Sequence, residues 1–457
     1  MAKRHVIVGG GTAGLNAVTT IREYDGGESE ISWVSNERTY SRMVLPYYLW
    51  HTISESHVFT ANPQRMEKLG VTPFIGRTAT KLDTGNNTLT LDDDTVLEYD
   101  DILIATGSRA IRPPIPGADG RAVHSFWTLD HCRAVLQDIQ PGCELVVVGA
   151  GFISFTIINS LIALGAKLTI VEVAPQILPR MVDRQGAEMV QKWLEKHGVT
   201  VKTDVRITSI EDVDGRKKLN LQSGEPIIAD LVIMATGIRS NLEWLEGSGI
   251  KINQGIVVDD HLRSNIANVY AGGDVAEGKN AVTGAMEVHA IEPTAMEHGR
   301  VIGANMAGVD TAYRGSILMN IIDVQHLEVA SFGEWNATNV EVIEALDERR
   351  NAYRKYLWDG DVLKGAIIIG LASDIWVTND VGMLKGLVQS KVPVGAWKEH
   401  MRRNPWDIKR PFVASHTTSM LLPQRILDHP SVPATEVRTG GVVRTRSGPA
   451  GTEVHVD

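Results

Sequence analysis

Three glycines near the start of the chain have the spacing of a site that cradles a dinucleotide. Gly9, Gly11 and Gly14 follow a short apolar run, and apolar residues with helical spacing come after them. In this arrangement the first glycine permits a tight turn, the second lets a pyrophosphate approach the main chain, and the third lets a helix pack closely on a strand. Free N–H groups at the start of that helix would then bind the phosphates.

The same pattern occurs again further along the chain. Gly149 and Gly151 follow a second apolar run, and Ser154 takes the place of the third glycine. Each copy is followed by another apolar strand pattern that ends in Ala-Thr-Gly, at Gly107 and at Gly237. Two copies of one module predict two bound dinucleotides.

Acidic residues indicate which dinucleotide each copy binds. A carboxylate about 20 residues beyond such glycines binds ribose hydroxyls. Glu172 lies at this distance in the second copy, with no adjacent arginine to receive the 2′-phosphate of NADP, so this copy is predicted to bind NADH. The first copy would then hold a dinucleotide that stays bound, which points to FAD. Glu37 is the ribose candidate there, although it could instead be a solvated loop residue.

Three further segments could complete the FAD site. Residues 40–49 are rich in aromatic and apolar side chains, which suits either a buried helix or a segment lying along a flavin ring. Asp274 ends a short apolar strand after two glycines and could accept bonds from ribityl hydroxyls. A helix predicted from Pro293 to Asn305 could direct its positive end at the flavin.

These residues require an α/β fold with two Rossmann-like dinucleotide-binding domains and a C-terminal α+β interface domain. The meander predicted around residues 71–101 and the hairpin turn at Asp359-Gly360 are antiparallel features. A helix interrupted near Pro393 is predicted over residues 384–397, and residues 432–457 are expected to be a disordered or draping arm. The expected domains are 1–112 and 243–312 for FAD, 113–242 for NAD, 313–400 for the interface, and 401–457 for a C-terminal extension and tail.

Composition excludes several classes of protein. A net charge of −10 argues against nucleic acid as a partner. No stretch approaches the ~18 apolar residues of a membrane-spanning helix. The chain has only two cysteines, Cys132 and Cys143, which excludes a site built from four cysteines and favours the cytoplasm.

The order of these motifs resembles the FAD-dependent pyridine-nucleotide oxidoreductases. This family includes glutathione-reductase-like enzymes, ferredoxin and rubredoxin reductases, NADH oxidases and the flavin part of assimilatory nitrite reductase. The resemblance covers about residues 5–400 and implies that FAD and NAD(H) are the cofactors. The residues expected to bind them are Gly9, Gly11, Thr12, Ala13, Gly14, Glu37, Arg42, Ala79, Thr106, Gly107, Gly149, Gly151, Phe152, Ile153, Glu172, Gly237, Gly273, Asp274, Thr294 and Ala295.

The chain departs from the family at its redox residues. Members that reduce disulfides or peroxides carry a cysteine just after the second strand, and Met43 stands at that position here. A thioether forms neither a thiolate nor a sulfenic acid, so the thiol mechanism is not expected. Ferredoxin reductases resemble the chain more closely at Tyr40 and Arg42, yet their usual lysine–glutamate pair is replaced by Tyr47 and Thr156.

Three functions follow as hypotheses. The first is an NADH-dependent reductase for an iron–sulfur carrier such as ferredoxin or rubredoxin. The second is the FAD- and NADH-binding subunit of a complex that oxidises aldehydes or 2-oxo acids, which the extension after Met401 favours. The third is a non-catalytic flavoprotein for signalling or assembly. No catalytic side chain and no metal ligand is assigned, because hydride transfer between rings needs neither. The interface domain leaves a homo-oligomer open.

Overall fold

A computed structural model describes residues 2–417 and four short strands beyond them. These strands are β27 (Arg425–Ile426), β28 (His429–Pro430), β29 (Val443–Arg444) and β30 (Glu453–Val454), and they pair in order as two antiparallel ribbons. Apart from β29 and β30, the arm expected over residues 432–457 lies outside the described residues.

The first glycine motif joins a strand to a helix, as predicted. The elements up to residue 112 are β1 (Arg4–Val8), α1 (Thr12–Asp25), β2 (Glu30–Ser35), α2 (Leu45–Leu49), α3 (Pro63–Lys68), β3 (Val71–Ile75), β4 (Ala79–Asp83), β5 (Thr88–Leu91), β6 (Val96–Glu98), β7 (Asp101–Ile104) and β8 (Ser108–Ala110). Short 3₁₀ turns cover Arg42–Val44 and Glu55–His57. Strands β4, β5 and β6 form the predicted antiparallel meander.

The second glycine motif also joins a strand to a helix. The elements that follow β8 are β9 (Val123–Ser125), α4 (Leu129–Asp138), β10 (Glu144–Val148), α5 (Phe152–Ala163), β11 (Lys167–Val171), α6 (Arg184–Lys196), β12 (Thr200–Lys202), β13 (Ile207–Val213), β14 (Arg216–Leu221), β15 (Ile227–Ala229), β16 (Leu231–Met234) and β17 (Ile238–Ser240). The chain then returns to the first module through β18 (Ile256–Val257), β19 (Val269–Ala271), β20 (Ala276–Lys279), β21 (Met286–Glu287) and α7 (Glu292–Met306). Helix α7 confirms the helix predicted from Pro293 to Asn305.

The two modules are built on the same plan. One parallel sheet has the order β19-β7-β1-β2-β3, and the other has the order β12-β11-β10-β16-β9. The glycine motif follows β1 in the first sheet and β10 in the second. Every residue of β7 and of β16 is buried, as expected of inner strands in a sheet covered on both faces. This confirms the predicted α/β fold with two dinucleotide-binding sheets.

A two-stranded ribbon connects the modules directly after the two Ala-Thr-Gly turns. Strand β8 pairs antiparallel with β17, so that Ser108 lies opposite Ser240. Two crossed backbone bonds extend the ribbon, from Asn241 N–H to the Gly107 carbonyl and from Ile111 N–H to the Gly237 carbonyl, at 2.9 and 2.8 Å. The ribbon therefore places the two Ala-Thr-Gly turns next to each other.

The remaining described elements form an α+β unit. They are β22 (Met319–Val324), β23 (Leu327–Gly333), β24 (Glu341–Asp347), β25 (Ala352–Asp359), β26 (Val362–Leu371), α8 (Ile375–Ser390), α9 (Trp397–Arg403) and α10 (Lys409–Ala414). The strands form an antiparallel sheet in the order β22-β23-β26-β25-β24, with the predicted hairpin turn at Asp359-Gly360. The helix prediction over residues 384–397 was wrong in its start, because α8 already begins at Ile375. Val377 anchors the missed turn by packing, fully buried, on the backbone of Gly370.

No helix in the described part of the chain is both long enough and apolar enough to cross a membrane.

Candidate functional site

The first glycine turn admits no side chain at its two ends. Gly9 has a φ of +130°, and a methyl group there would lie 2.0 Å from the Ala105 carbonyl oxygen. A methyl group on Gly14 would lie 2.1 Å from the Gly9 carbonyl oxygen. Gly9 therefore permits the turn and the contact with β7, while Gly14 lets α1 pack against the turn.

The second turn repeats this geometry with one substitution. Gly149 has a φ of +100°, and a methyl group there would lie 2.5 Å from the Ala235 carbonyl oxygen, at the end of β16. Ser154, in the place of the third glycine, is fully buried and donates its hydroxyl to the Gly149 carbonyl at 2.5 Å. Ser154 thus binds the Gly149 carbonyl, which corresponds to the Gly9 carbonyl that Gly14 approaches in the first turn.

The middle glycines face open space. Gly11 precedes α1 and Gly151 precedes α5, and neither helix has a side chain that caps its first N–H groups. A methyl group at either glycine would meet no atom within 4 Å. Both helices therefore present uncapped N–H groups and a positive helix end to an unfilled space, which suits a pyrophosphate.

A single cavity of about 2050 Å³ contains both glycine turns. One small-molecule site usually occupies about 300–1,000 Å³, so this cavity has room for two dinucleotides. Eighteen of the candidate residues line it: Gly9, Gly11, Thr12, Ala13, Glu37, Arg42, Ala79, Thr106, Gly107, Gly149, Gly151, Phe152, Ile153, Glu172, Gly237, Gly273, Asp274 and Ala295. Gly14 and Thr294 are buried beside the cavity and do not line it.

Glu172 is held by the backbone of its own module. Its carboxylate accepts hydrogen bonds from the N–H groups of Ala150 at 2.6 Å and Ala174 at 2.8 Å, and its residue is 8% exposed. These bonds join the end of β11 to the glycine turn. Two arginines that the sequence reasoning did not weigh, Arg180 and Arg206, line the same cavity.

Glu37 and Arg42 form one cluster on the side of the first module. The Arg42 guanidinium donates to Glu37 at 2.8 Å, to the Tyr40 hydroxyl at 2.8 Å and to the Trp127 carbonyl at 3.0 Å. The Tyr40 hydroxyl also donates to Glu37 at 2.5 Å, and burial raises the pKa of Tyr40. Glu37 is therefore fixed at the cavity wall by residues of its own segment.

Asp274 lies on the cavity wall where the two modules meet. Its carboxylate accepts a hydrogen bond from the Ser108 hydroxyl at 2.6 Å, and burial raises its pKa. The neighbouring Gly273 N–H donates to Nδ1 of His298 at 3.2 Å. Burial lowers the pKa of His298 to about 3, so this imidazole is neutral and accepts the bond.

The segment that resembles the redox-cysteine position carries no thiol. Met43 lies at the cavity with 48% of its surface exposed. Cys132 and Cys143 are both free and buried, and burial raises the pKa of Cys132 to about 12. A thiol with so high a pKa does not form the thiolate that redox chemistry needs. Within the described ranges, no group of three or more His, Cys, Asp or Glu side chains could hold a metal ion.

Sequence reasoning missed two carboxylates of this cavity, Glu292 and Glu297. Glu292, the first residue of α7, accepts hydrogen bonds from the hydroxyls of Thr12 at 3.0 Å and Ser41 at 2.6 Å. The signal that could have found it is an acidic residue directly before Pro293, which is a common start for a helix.

Comparisons with known proteins agree with this geometry. A family model described as pyridine nucleotide-disulphide oxidoreductase matches residues 3–299. Nitrite reductase [NAD(P)H] of Bacillus subtilis is 30% identical over 81% of the chain, which spans only 46% of that relative. The chain thus spans about half the length of the first curated relatives it matches.

Two further relatives match more of their own length. The epsilon subunit of NADH-dependent phenylglyoxylate dehydrogenase from Aromatoleum evansii is 28% identical over 89% of the chain and 96% of the relative. The structure of an NAD-dependent persulfide reductase from A. fulgidus superposes with a TM-score of 0.78, at 27% identity over 86% of the chain and 77% of that structure. With two glycine turns opening into one cavity and a family match over most of its length, the chain belongs to the pyridine nucleotide-disulphide oxidoreductase family.

Proposed function

We propose that the chain is an FAD-dependent, NADH-preferring oxidoreductase that passes electrons between NAD(H) and a protein redox carrier. The carrier is an iron–sulfur protein of the ferredoxin or rubredoxin type. The observation that carries the proposal is one cavity that contains two glycine turns and is lined by Met43 rather than by a thiol. Because neither free cysteine of the chain lines this cavity, the electrons must leave to an external acceptor.

The residues divide between the two cofactors by module. FAD, when bound, accepts a hydride from NADH and passes the electrons on. Residues 1–112 and 243–312 would hold FAD, with α1 facing its pyrophosphate and Asp274 its ribityl hydroxyls. Residues 113–242 would hold NADH, with α5 facing its pyrophosphate and Glu172 its adenosine ribose.

The chain's own contribution to the reaction is to position the two cofactors. The ribbon of β8 and β17 fixes the two Ala-Thr-Gly turns side by side, so that both cofactors would share one space. No side chain has to move a proton for a hydride to pass between rings. The neutral His298 supports the backbone at Gly273 and is not placed as an acid.

A second candidate is the FAD- and NADH-binding subunit of a multisubunit oxidoreductase that oxidises aldehydes or 2-oxo acids. Its specific support is the relative from Aromatoleum evansii, whose name describes a subunit and which the chain matches over 96% of its length. In this arrangement the redox carrier is a neighbouring subunit. Purification of the untagged native protein separates the candidates: recovery alone favours the separate carrier, and recovery with further subunits favours the complex.

Anaerobic stopped-flow tests the function itself. NADH is expected to bleach the flavin absorbance near ~450 nm faster than NADPH does. Equal or reversed rates would contradict the role of Glu172. No bleaching by either nucleotide would favour the third hypothesis, a non-catalytic flavoprotein. We also propose a cytoplasmic location, which the two free, buried cysteines support.

A further inference from the structure

The carboxylate of Glu292 lies where three elements of the cavity meet. It begins α7, and it accepts hydrogen bonds from Thr12, the first residue of α1, and from Ser41, which precedes the 3₁₀ turn Arg42–Val44. Both hydroxyls donate to the same oxygen, Oε1. Glu292 itself lines the cavity.

Close helix packing brings the start of α7 to this point. A methyl group on Gly299 would lie 2.4 Å from the Ala13 carbonyl oxygen, and one on Gly303 would lie 2.6 Å from that of Ala17. The two glycines therefore let α7 lie directly against α1. Neither helix has a side-chain cap, so two positive helix ends open into one cavity. Together they would stabilise negative charge gained by a bound group.

Glu292, in the first turn of α7, adds a negative charge at these helix ends and therefore opposes that effect. The Ser41 hydroxyl that donates to Glu292 also accepts a hydrogen bond from the Met43 N–H at 3.2 Å. A single serine thus links the carboxylate to the residue that stands where related oxidoreductases carry their redox cysteine. Glu292 forms no ion pair among the described residues.

The charged residues nearest to Glu292 in sequence and in the Ser41 segment have opposite charges of their own. The charge of Arg42 is matched by Glu37 at 2.8 Å. Further along α7, Glu297 also lines the cavity, and the positive charges of Lys385 and Arg300 lie close enough to oppose its charge. Glu292 is therefore the unmatched charge at the start of α7.

We propose that Glu292 is a positioning residue that fixes the Ser41–Met43 turn and lowers the reduction potential of bound FAD. The inference rests on the proposed function in that FAD must occupy the first module. Reduction adds negative charge to the flavin, and a nearby carboxylate makes this addition less favourable. A low flavin potential suits electron exchange between NAD(H) and an iron–sulfur carrier of low potential. The partner is therefore expected among the iron–sulfur proteins of low reduction potential.

Potentiometric titration of Glu292→Gln tests the proposal. The glutamine can still accept the two hydroxyl bonds but has no charge, so the flavin potential is expected to rise. The expected shift corresponds to about a tenfold change in the equilibrium with NADH, or ~30 mV for a two-electron couple. Glu292→Ala is a second neutral variant and should also raise the potential, in case the glutamine variant does not retain FAD.

Ser41→Ala is the matched control. It removes both hydrogen bonds of the Ser41 hydroxyl, the one to Glu292 and the one from the Met43 N–H, and leaves the charge, so it can loosen the turn but should not raise the potential. Unchanged potentials in both neutral variants, or an equal rise in Ser41→Ala, would overturn the proposal and leave Glu292 a purely structural residue. If the wild-type protein binds no FAD, the proposed function fails instead, which is a separate result.

Discussion

A methyl group at Gly151 should weaken the binding of NADH without disturbing the fold. Gly151 has φ −86° and ψ −176°, a conformation open to any residue, and its added methyl group meets no protein atom within 4 Å. The substitution Gly151→Ala therefore costs the folded protein little. The methyl group would instead occupy the space through which the pyrophosphate approaches the start of α5. Crowding of this kind costs about 1–3 kcal/mol, which corresponds to roughly 5- to 150-fold weaker binding.

The assay is an anaerobic titration of the FAD-loaded variant with NADH, with thermal unfolding measured beside it. Gly11→Ala is the reciprocal variant, because Gly11 is equally open and should lose FAD in place of NADH. Gly382→Ala, at an exposed glycine within α8, is the control that should change the binding of neither FAD nor NADH. Wild-type NADH affinity in Gly151→Ala, or loss of FAD from it, would refute the division of the two glycine turns between the cofactors.

Four further substitutions test the first glycine turn, the preference for NADH, the role of Met43 and the contribution of Asp380 to stability. Gly9→Ala should give little soluble, FAD-loaded protein, because the methyl group would lie 2.0 Å from a carbonyl oxygen; a normal yield with FAD would contradict this. Glu172→Gln should lower the preference for NADH over NADPH, measured as a ratio of Kd values, by roughly tenfold, about 1.4 kcal/mol. Met43→Ala should leave the rate of flavin reduction by NADH unchanged. A rate lower by tenfold or more would mean that Met43 takes part in that reduction. Asp380, beside Arg354, has a pKa raised by burial from 3.8 to about 6, so folding favours its protonated form. Its contribution to stability should therefore fall as pH rises across that interval and level off above it, and a Tm–pH series should lose this slope in Asp380→Asn.

The glycine turns could be predicted because their glycine spacing is a local pattern, although the contacts of Gly9 with Ala105 and of Gly149 with Ala235 are seen only in the structure. The conformation of Gly9 and the openness of Gly11 both follow from a strand, a turn and a helix that are contiguous in sequence. The same holds for the hairpin at Asp359-Gly360. Ser154 was recognisable as a small residue in the third position, but its hydrogen bond to Gly149 depends on a buried hydroxyl that only the structure places.

Contacts between distant segments could not be predicted in this way. Arg42 reaches the Trp127 carbonyl across the boundary between modules, and Glu292 meets Thr12 and Ser41 only because α7 packs on α1. The start of α8 was missed for a related reason. Its first turn contains β-branched residues, which have weak helix propensity. The turn is helical because Val377 packs on β26.

The number of electrons that the protein takes up shows whether any group besides the flavin stores them. In a protein with no redox thiol, anaerobic titration should reduce the flavin completely with about one NADH per FAD, because the flavin is the only two-electron acceptor. Alkylating reagents should leave that end point unchanged, since both cysteines are buried. An end point near two NADH per FAD would reveal a second redox group and show that the chain does carry a redox-active residue.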